Sequence, residues 1–157
     1  MQIEPDAVHE SEIRLLPLLR RAERSITSHL VGRLREAGFA GLTATHGNVF
    51  PYIEPDGSRV ADMARRAGVT KQTMAEFVSL LEQQGYVERR PDPIDQRAKL
   101  VALTPLGADV VRVATAAIRE AEAQWESAIG PDEMTRLRDL LTRAPAAAQP
   151  WPPTHSS

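Results

Sequence analysis

The chain has 157 residues, the size of one domain, with 42% apolar and only 4% aromatic residues, so aliphatic side chains and alanine must build its core. It contains no cysteine, which excludes a disulfide framework, a thiolate zinc finger and a thiol redox switch, and fits a reducing, cytoplasmic setting. Its net charge of −2 lacks the basic balance that usually marks nucleic-acid binders. The N-terminus MQIEPDAVHE is acidic and has no apolar h-region, so no signal peptide is expected, and no run approaches the ~18 apolar residues of a membrane span.

In chain order, Ile13, Leu16, Leu19, Ile26, Leu30 and Leu34 recur at mostly helical spacing and predict an amphipathic helix over 11–37, with Pro17 in its first turn or at a kink. Gly38 is the expected stop. Thr43 caps a second expected helix to about Ile53, which Pro51 shortens, and EPDG at 54–57 reads as a turn. Ser58 is the expected cap of a short helix, Arg59 to Ala67, and Gly68 ends it. Thr70 caps a helix over 71–84, with Met74, Phe77, Val78 and Leu81 as its apolar stripe.

Tyr86 to Arg90 and Ala98 to Leu103 lean towards strand and predict a β-hairpin, though their alternation is imperfect. Thr104 and Pro105 read as N-cap and first residue of a long helix to about Ile129, with the stripe Leu106, Val110, Val113, Ala117, Ala121 and Trp125. GPDEM at 130–134 is a break and restart, and Met134, Leu137, Leu140 and Leu141 are the expected buried face of the last helix. The proline-rich tail, 144–157, is expected to be disordered. The fold class expected is mainly α with a small β-hairpin.

Charge is unevenly spread. Residues 59–99 hold eight Lys/Arg and six Asp/Glu, a local +2 that leaves −4 elsewhere. The same segment carries the constellation with chemical content. Two short helices meet at Gly68-Val69, where Met63, Ala64 and Ala67 can face Met74 and Phe77, the spacing of a helix-turn-helix. The second helix presents Lys71, Gln72, Thr73 and Glu76 at its N-terminal end, where recognition helices meet base edges. Gln can pair with adenine, Lys can reach guanine or phosphate, and Thr70 with the first-turn N–H groups suits a phosphate. A hairpin directly after a helix-turn-helix makes a winged helix. In its loop, RRPDPIDQRAKL, two prolines limit flexibility, and Arg97 is long enough for the minor groove. Asp95 and Arg97 share a side of an extended segment, so the carboxylate can orient the guanidinium. The plainer alternative makes Asp92 and Asp95 turn residues and leaves Arg97 solvated.

Residues 59–107, and above all DPIDQRAKLVALTPLG, with its Asp-x-Arg, strand and Thr-Pro-x-Gly, resemble the multiple antibiotic resistance regulator (MarR) family of winged-helix repressors. The resemblance implies one winged-helix domain over 1–157, with dimerisation helices at 8–37 and 105–143 around a DNA-binding lobe at 42–104. It implies a homodimer on a pseudo-palindromic site in double-stranded DNA. The contacts it implies are Lys71, Gln72, Thr73 and Glu76 in the major groove, Arg97 oriented by Asp95 in the minor groove, and Ser58 and Arg59 on the backbone. Thr70, Arg89 and Lys99 complete the candidate set. It also implies control by a small aromatic or lipophilic effector, for which His29, Arg33, His46 and Phe50 are candidates. No cofactor is expected. The histidines have no ligand spacing and there are no thiolates, so no metal is expected either. Nor is an enzyme, since no phosphate loop, nucleophile elbow or paired-histidine motif is present. The rival reading is a winged helix that binds protein instead of DNA.

Overall fold

The structure is a computed structural model that describes residues 14–39, 41–42, 47, 49–95 and 97–147. Helix α1 spans Leu15–Glu36, α2 Val60–Ala67, α3 Lys71–Gln83, α4 Pro105–Ile129 and α5 Pro131–Ala147; strands β1 (Val87–Pro91) and β2 (Lys99–Leu103) lie between α3 and α4. The fold is mainly helical with one small antiparallel sheet, the winged helix-turn-helix class expected. Contacts divide the chain into two units, 1–119 and 120–157, with the division inside α4.

Pro17 lies in the first turn of α1 and causes no break. Thr43, with residues 44–46 and 48 of the second expected helix, lies outside the described residues; the rest includes a 3₁₀ turn at Phe50–Tyr52, with Pro51 near its start. The last helix runs on to Ala147, through Pro145 and four residues past the expected start of the tail.

The core of the first unit gathers Leu34, Val49, Met63, Met74, Val78, Leu81, Tyr86, Val87, Val101 and Val110. Gly68 ends α2 with φ 68°, and the Val69 N–H returns to the Ala64 carbonyl at 3.1 Å. This left-handed turn is the one a helix-turn-helix needs, and glycine takes it without strain. Met63, Ala64 and Met74 are buried at the crossing and Ala67 and Phe77 pack on its edge, as the spacing predicts.

The hairpin pairs Val87 with Leu103 and Pro91 with Lys99. Pro91 has no N–H to offer, but at its position that group would face away from β2, and the Asp92 N–H still donates to Ala98 O at 3.1 Å before the wing turns. The imperfect alternation of β2 has a structural cause. Val101 lies opposite Arg89 of β1 but turns both backbone groups the other way, to Ser58: the Ser58 N–H donates to Val101 O (2.9 Å) and the Val101 N–H to Ser58 O (2.8 Å). Ser58 is therefore a third-strand residue, and Arg59 is the residue that precedes α2. The expected Ser58 cap is not formed. Its hydroxyl accepts the Glu54 N–H at 2.9 Å, and the residue is buried.

Thr104 caps α4 as expected. Its hydroxyl accepts the Gly107 N–H at 3.0 Å and lies 2.6 Å from the Gly85 carbonyl, to which it donates. The Thr104 N–H donates to Tyr86 O at 3.1 Å. These bonds draw the start of α4 against the 85–86 turn.

The apolar stripes are only partly covered. Leu15, Leu16, Leu18 and Leu19 of α1 are exposed, as is Leu106 of α4, while Val110 and Ala117 are buried. In the second unit Met134 and Ala121 are buried, but Leu140 and Leu141 stand 46% and 45% exposed, contrary to the buried face expected of them. An amphipathic helix whose apolar face meets solvent has that face available to another surface.

Candidate nucleic-acid interface

Helix α3 presents its N-terminal end to solvent. Thr70 caps it: its Oγ1 accepts the Thr73 N–H at 3.1 Å and lies 2.8 Å from the Thr73 hydroxyl. Lys71, Gln72 and Glu76 are exposed beyond it, and the Gln72 amide donates to Glu76 at 3.2 Å. Lys71, Gln72 and Glu76 thus share the exposed N-terminal part of α3, with Gln72 and Glu76 paired along the helix.

The wing holds a feature that the sequence does not announce. Asp92 is 5% exposed. Its Oδ2 accepts Nε of Arg59 at 3.0 Å and Nη2 at 2.5 Å. Its Oδ1 accepts the N–H of Ile94 at 2.8 Å and of Asp95 at 3.3 Å. Its own N–H donates to Ala98 O at 3.1 Å. One carboxylate thus fixes the turn of the wing and ties it to the residue that opens α2, 33 positions earlier. The Asp92 carboxyl is held below the usual carboxylate range, first by the Ile94 N–H and then by Arg59; the Arg59 guanidinium is raised above its ordinary value, first by the same hydrogen bond.

This geometry shows how three of the candidate side chains are held. Asp95 does not grip the Arg97 guanidinium; its Oδ1 accepts the Arg97 backbone N–H at 3.2 Å, and its Oδ2 lies 3.7 Å from Arg59. Arg59, expected on the DNA backbone, is engaged with Asp92. Arg89 is drawn back onto α3: it donates to Ser79 Oγ at 3.0 Å and lies 3.5 Å from Glu82. Arg59 gains a charge-assisted hydrogen bond to a buried carboxylate that a solvated guanidinium lacks, whereas Arg89 is held by a neutral hydroxyl with Glu82 nearby. Among the described residues, Lys71, Arg97 and Lys99 pair with no carboxylate and stand exposed. The candidate set thus divides into presented groups and braces, with Ser58 buried among the braces.

Of the effector candidates, His46 lies outside the described residues. A cavity of about 270 Å³ opens between α1, the Phe50–Pro51 turn and α4. Phe50 lines it with Leu30, Leu34, Val110, Ala114 and Ile118; His29 and Arg33 do not. Arg33 bonds Glu36 at 2.8 Å. The described lining contains no charged side chain, and its one hydroxyl, on Thr115, donates to Val111 O at 2.8 Å. The cavity is apolar, against the expected His or Arg partner for an acid. Among the described residues, no group of His, Asp or Glu is placed to hold a metal, and no helix is long and apolar enough to cross a membrane.

A family model described as MarR family matches residues 40–98, the stretch that holds the helix-turn-helix and the wing. Over that segment the chain is similar to the MarR family. Solved MarR-type regulators share the fold over most of the chain. PcaV from Streptomyces coelicolor, in complex with its natural ligand, is 26% identical over 95% of this chain and 100% of its own, with a TM-score of 0.66. CouR from Rhodococcus jostii RHA1, bound to p-coumaroyl-CoA, is 24% identical over 84% of this chain and 92% of its own, with a TM-score of 0.66. A mutant of MepR from S. aureus, bound to an oligodeoxyribonucleotide, is 23% identical over 88% of this chain and 100% of its own, with a TM-score of 0.56. No curated protein matches the chain. The protein therefore has the fold of a MarR-family transcriptional regulator, a family with DNA-bound and ligand-bound members.

Proposed function

We propose that the protein is a homodimeric repressor that binds a pseudo-palindromic DNA site, with α3 in the major groove and the wing in the minor groove. The observation that carries this reading is the pairing of a capped, solvent-facing α3 N-terminus with a wing whose turn is held by Asp92. The direct contacts are then Lys71, Gln72, Thr73, Glu76, Arg97 and Lys99, with a phosphate at Thr70 and the first-turn N–H groups. Arg59, Ser58 and Arg89 serve the shape of the reader. The exposed leucines of α1 and of α5 supply apolar surface for a second copy, and two-fold symmetry places half-sites about one helical turn apart.

The test is an electrophoretic shift with DNA from upstream of the protein's own gene, with sedimentation equilibrium alongside. Binding with the mass of two chains supports the reading; no shift at low salt with that DNA or with pooled genomic fragments, or a monomer in solution, sinks it. The rival protein-binding role predicts that second result. In the same assay Arg97→Ala is expected to weaken binding by roughly tenfold or more and to flatten the dependence of log affinity on log salt, with mass and folding unchanged. An unaltered affinity would remove the wing arginine from the interface.

The cavity supports release by a small lipophilic effector. Because its described lining carries no cation, a neutral phenol is expected to raise the melting temperature and weaken DNA binding, whereas a benzoate of equal size is not. Ala114→Phe, which fills the space, should abolish the phenol's effect. Benzoate binding that survives Ala114→Phe would place the effector elsewhere.

A further inference from the structure

Ile94 sits at the tip of the wing and is 94% exposed. Single exposed apolar residues are ordinary on protein surfaces. What sets this one apart is the hold on its backbone. Its N–H donates to Asp92 Oδ1 at 2.8 Å, Asp92 is itself buried against Arg59, and Pro93 restricts the preceding φ. Ile94 lines one wall of an open groove with Pro91, Pro93, Leu100 and Arg90, yet its side chain is not buried there. The turn chemistry here would be served as well by serine or aspartate. The wing instead displays a branched aliphatic group outward, with the exposed cations Arg97 and Lys99 on the returning arm.

We propose that Ile94 is an apolar DNA-contacting residue, packing in the minor groove against deoxyribose and base edges beside Arg97. This rests on the DNA-binding reading above and adds to it a contact without charge. Minor-groove proteins combine the same two elements, a cation drawn to the groove's potential and an aliphatic side chain pressed into it. The turn held by Asp92 lowers the ordering cost of presenting them together.

A charge-free contact has its own signature. Its loss lowers affinity without changing how many phosphates are neutralised, so the salt slope stays the same. The experiment measures the full-length protein on the duplex that it shifts, across a salt series, for the parent, Ile94→Ser, Ile94→Val and Arg97→Ala. Ile94→Ser is expected to bind roughly tenfold more weakly with the parental salt slope, and Ile94→Val to bind nearly as the parent does. The side chain is almost wholly exposed, so the melting temperature should not move, and misfolding will not mimic the result. Parental affinity in Ile94→Ser overturns the proposal. So does a weakened Ile94→Ser whose slope flattens as in Arg97→Ala, since the loss would then be one of phosphate contacts. A parent that shifts no DNA overturns the functional reading itself, and is told apart because every variant then fails alike.

Discussion

Gly107→Ala is expected to destabilise the fold by about 2–4 kcal/mol, seen as a lower urea midpoint with native-like helix content before the transition. A β-carbon at this position would lie 1.9 Å from the Tyr86 carbonyl oxygen, 3.0 Å from its carbon and 3.3 Å from Leu103 Cδ2. The nearest of these atoms is backbone and cannot rotate away. It is also bonded, since Tyr86 O accepts the Thr104 N–H. Relief requires moving the first turn of α4 off the 85–86 turn, which breaks the Thr104 cap and disturbs Tyr86, whose ring meets Phe39 edge-on at a centroid distance of 6.3 Å. Gly130, just past the other end of α4, provides the control. It has φ 90° but nothing near its position, so a substitution there strains the backbone without a clash. A Gly107→Ala protein with the parental midpoint would show that the α4 start is not seated as described.

Asp92→Ala is expected to weaken DNA binding on the order of ten- to a hundredfold while leaving the helical core folded. The substitution strips the acceptor from the N–H groups of Ile94 and Asp95 and the partner from Arg59. The wing then pays its ordering entropy at the moment of docking. Hydrogen exchange at Ile94 and Asp95 should quicken, while exchange in α3 should not. The pH behaviour follows from the direction of the shift. Asp92 is lowered, so its contribution is complete above the ordinary carboxylate value of about 3.9 and is lost as pH falls through its lower folded value. Arg59 is raised and stays charged throughout. Wing protection, the slowing of exchange relative to an unstructured amide at the same pH, should therefore be constant from neutral pH down to mildly acidic conditions and be lost only in strong acid. Undiminished affinity in Asp92→Ala would reduce the carboxylate to a turn former.

The elements legible in the sequence are those set by local chemistry. Thr70 and Thr104 read as caps and are caps, and Gly68 reads as a left-handed turn and is one. Apolar spacing marked the α2–α3 crossing because both helices meet the core on one face. What escaped was set by partners distant in sequence. Asp92 before a proline is readable as a turn residue, but nothing local indicates that Arg59 will meet it. The same distance turned Ser58 from cap to strand, since its partner is Val101. The Asp95–Arg97 spacing implied a side-chain pair, whereas the backbone N–H of Arg97 lay closer to hand. Gly107 was visible only as part of Thr-Pro-x-Gly, and the carbonyl that forbids a side chain there belongs to Tyr86. Of the effector candidates, Phe50 lines the cavity, whereas His29 and Arg33, which offer a partner for an acid, do not, and the rest of the lining is largely aliphatic.

The bonds that join the wing to the rest of its lobe have a mechanical consequence. Ser58 stitches the approach to α2 onto β2, Arg59 and Asp92 join its opening residue to the tip, Arg90 donates to Asp56 O at 2.7 Å, and Arg89 fastens β1 to α3. Among the described residues these bonds bridge α3, the approach to α2 and the wing, so the helix and the wing are expected to turn as one body. In a dimer, an effector then has little purchase on the shape of either reader. Its lever is the spacing between the two, and a DNA site whose half-sites are moved apart by a base pair would sense the same variable from the other side.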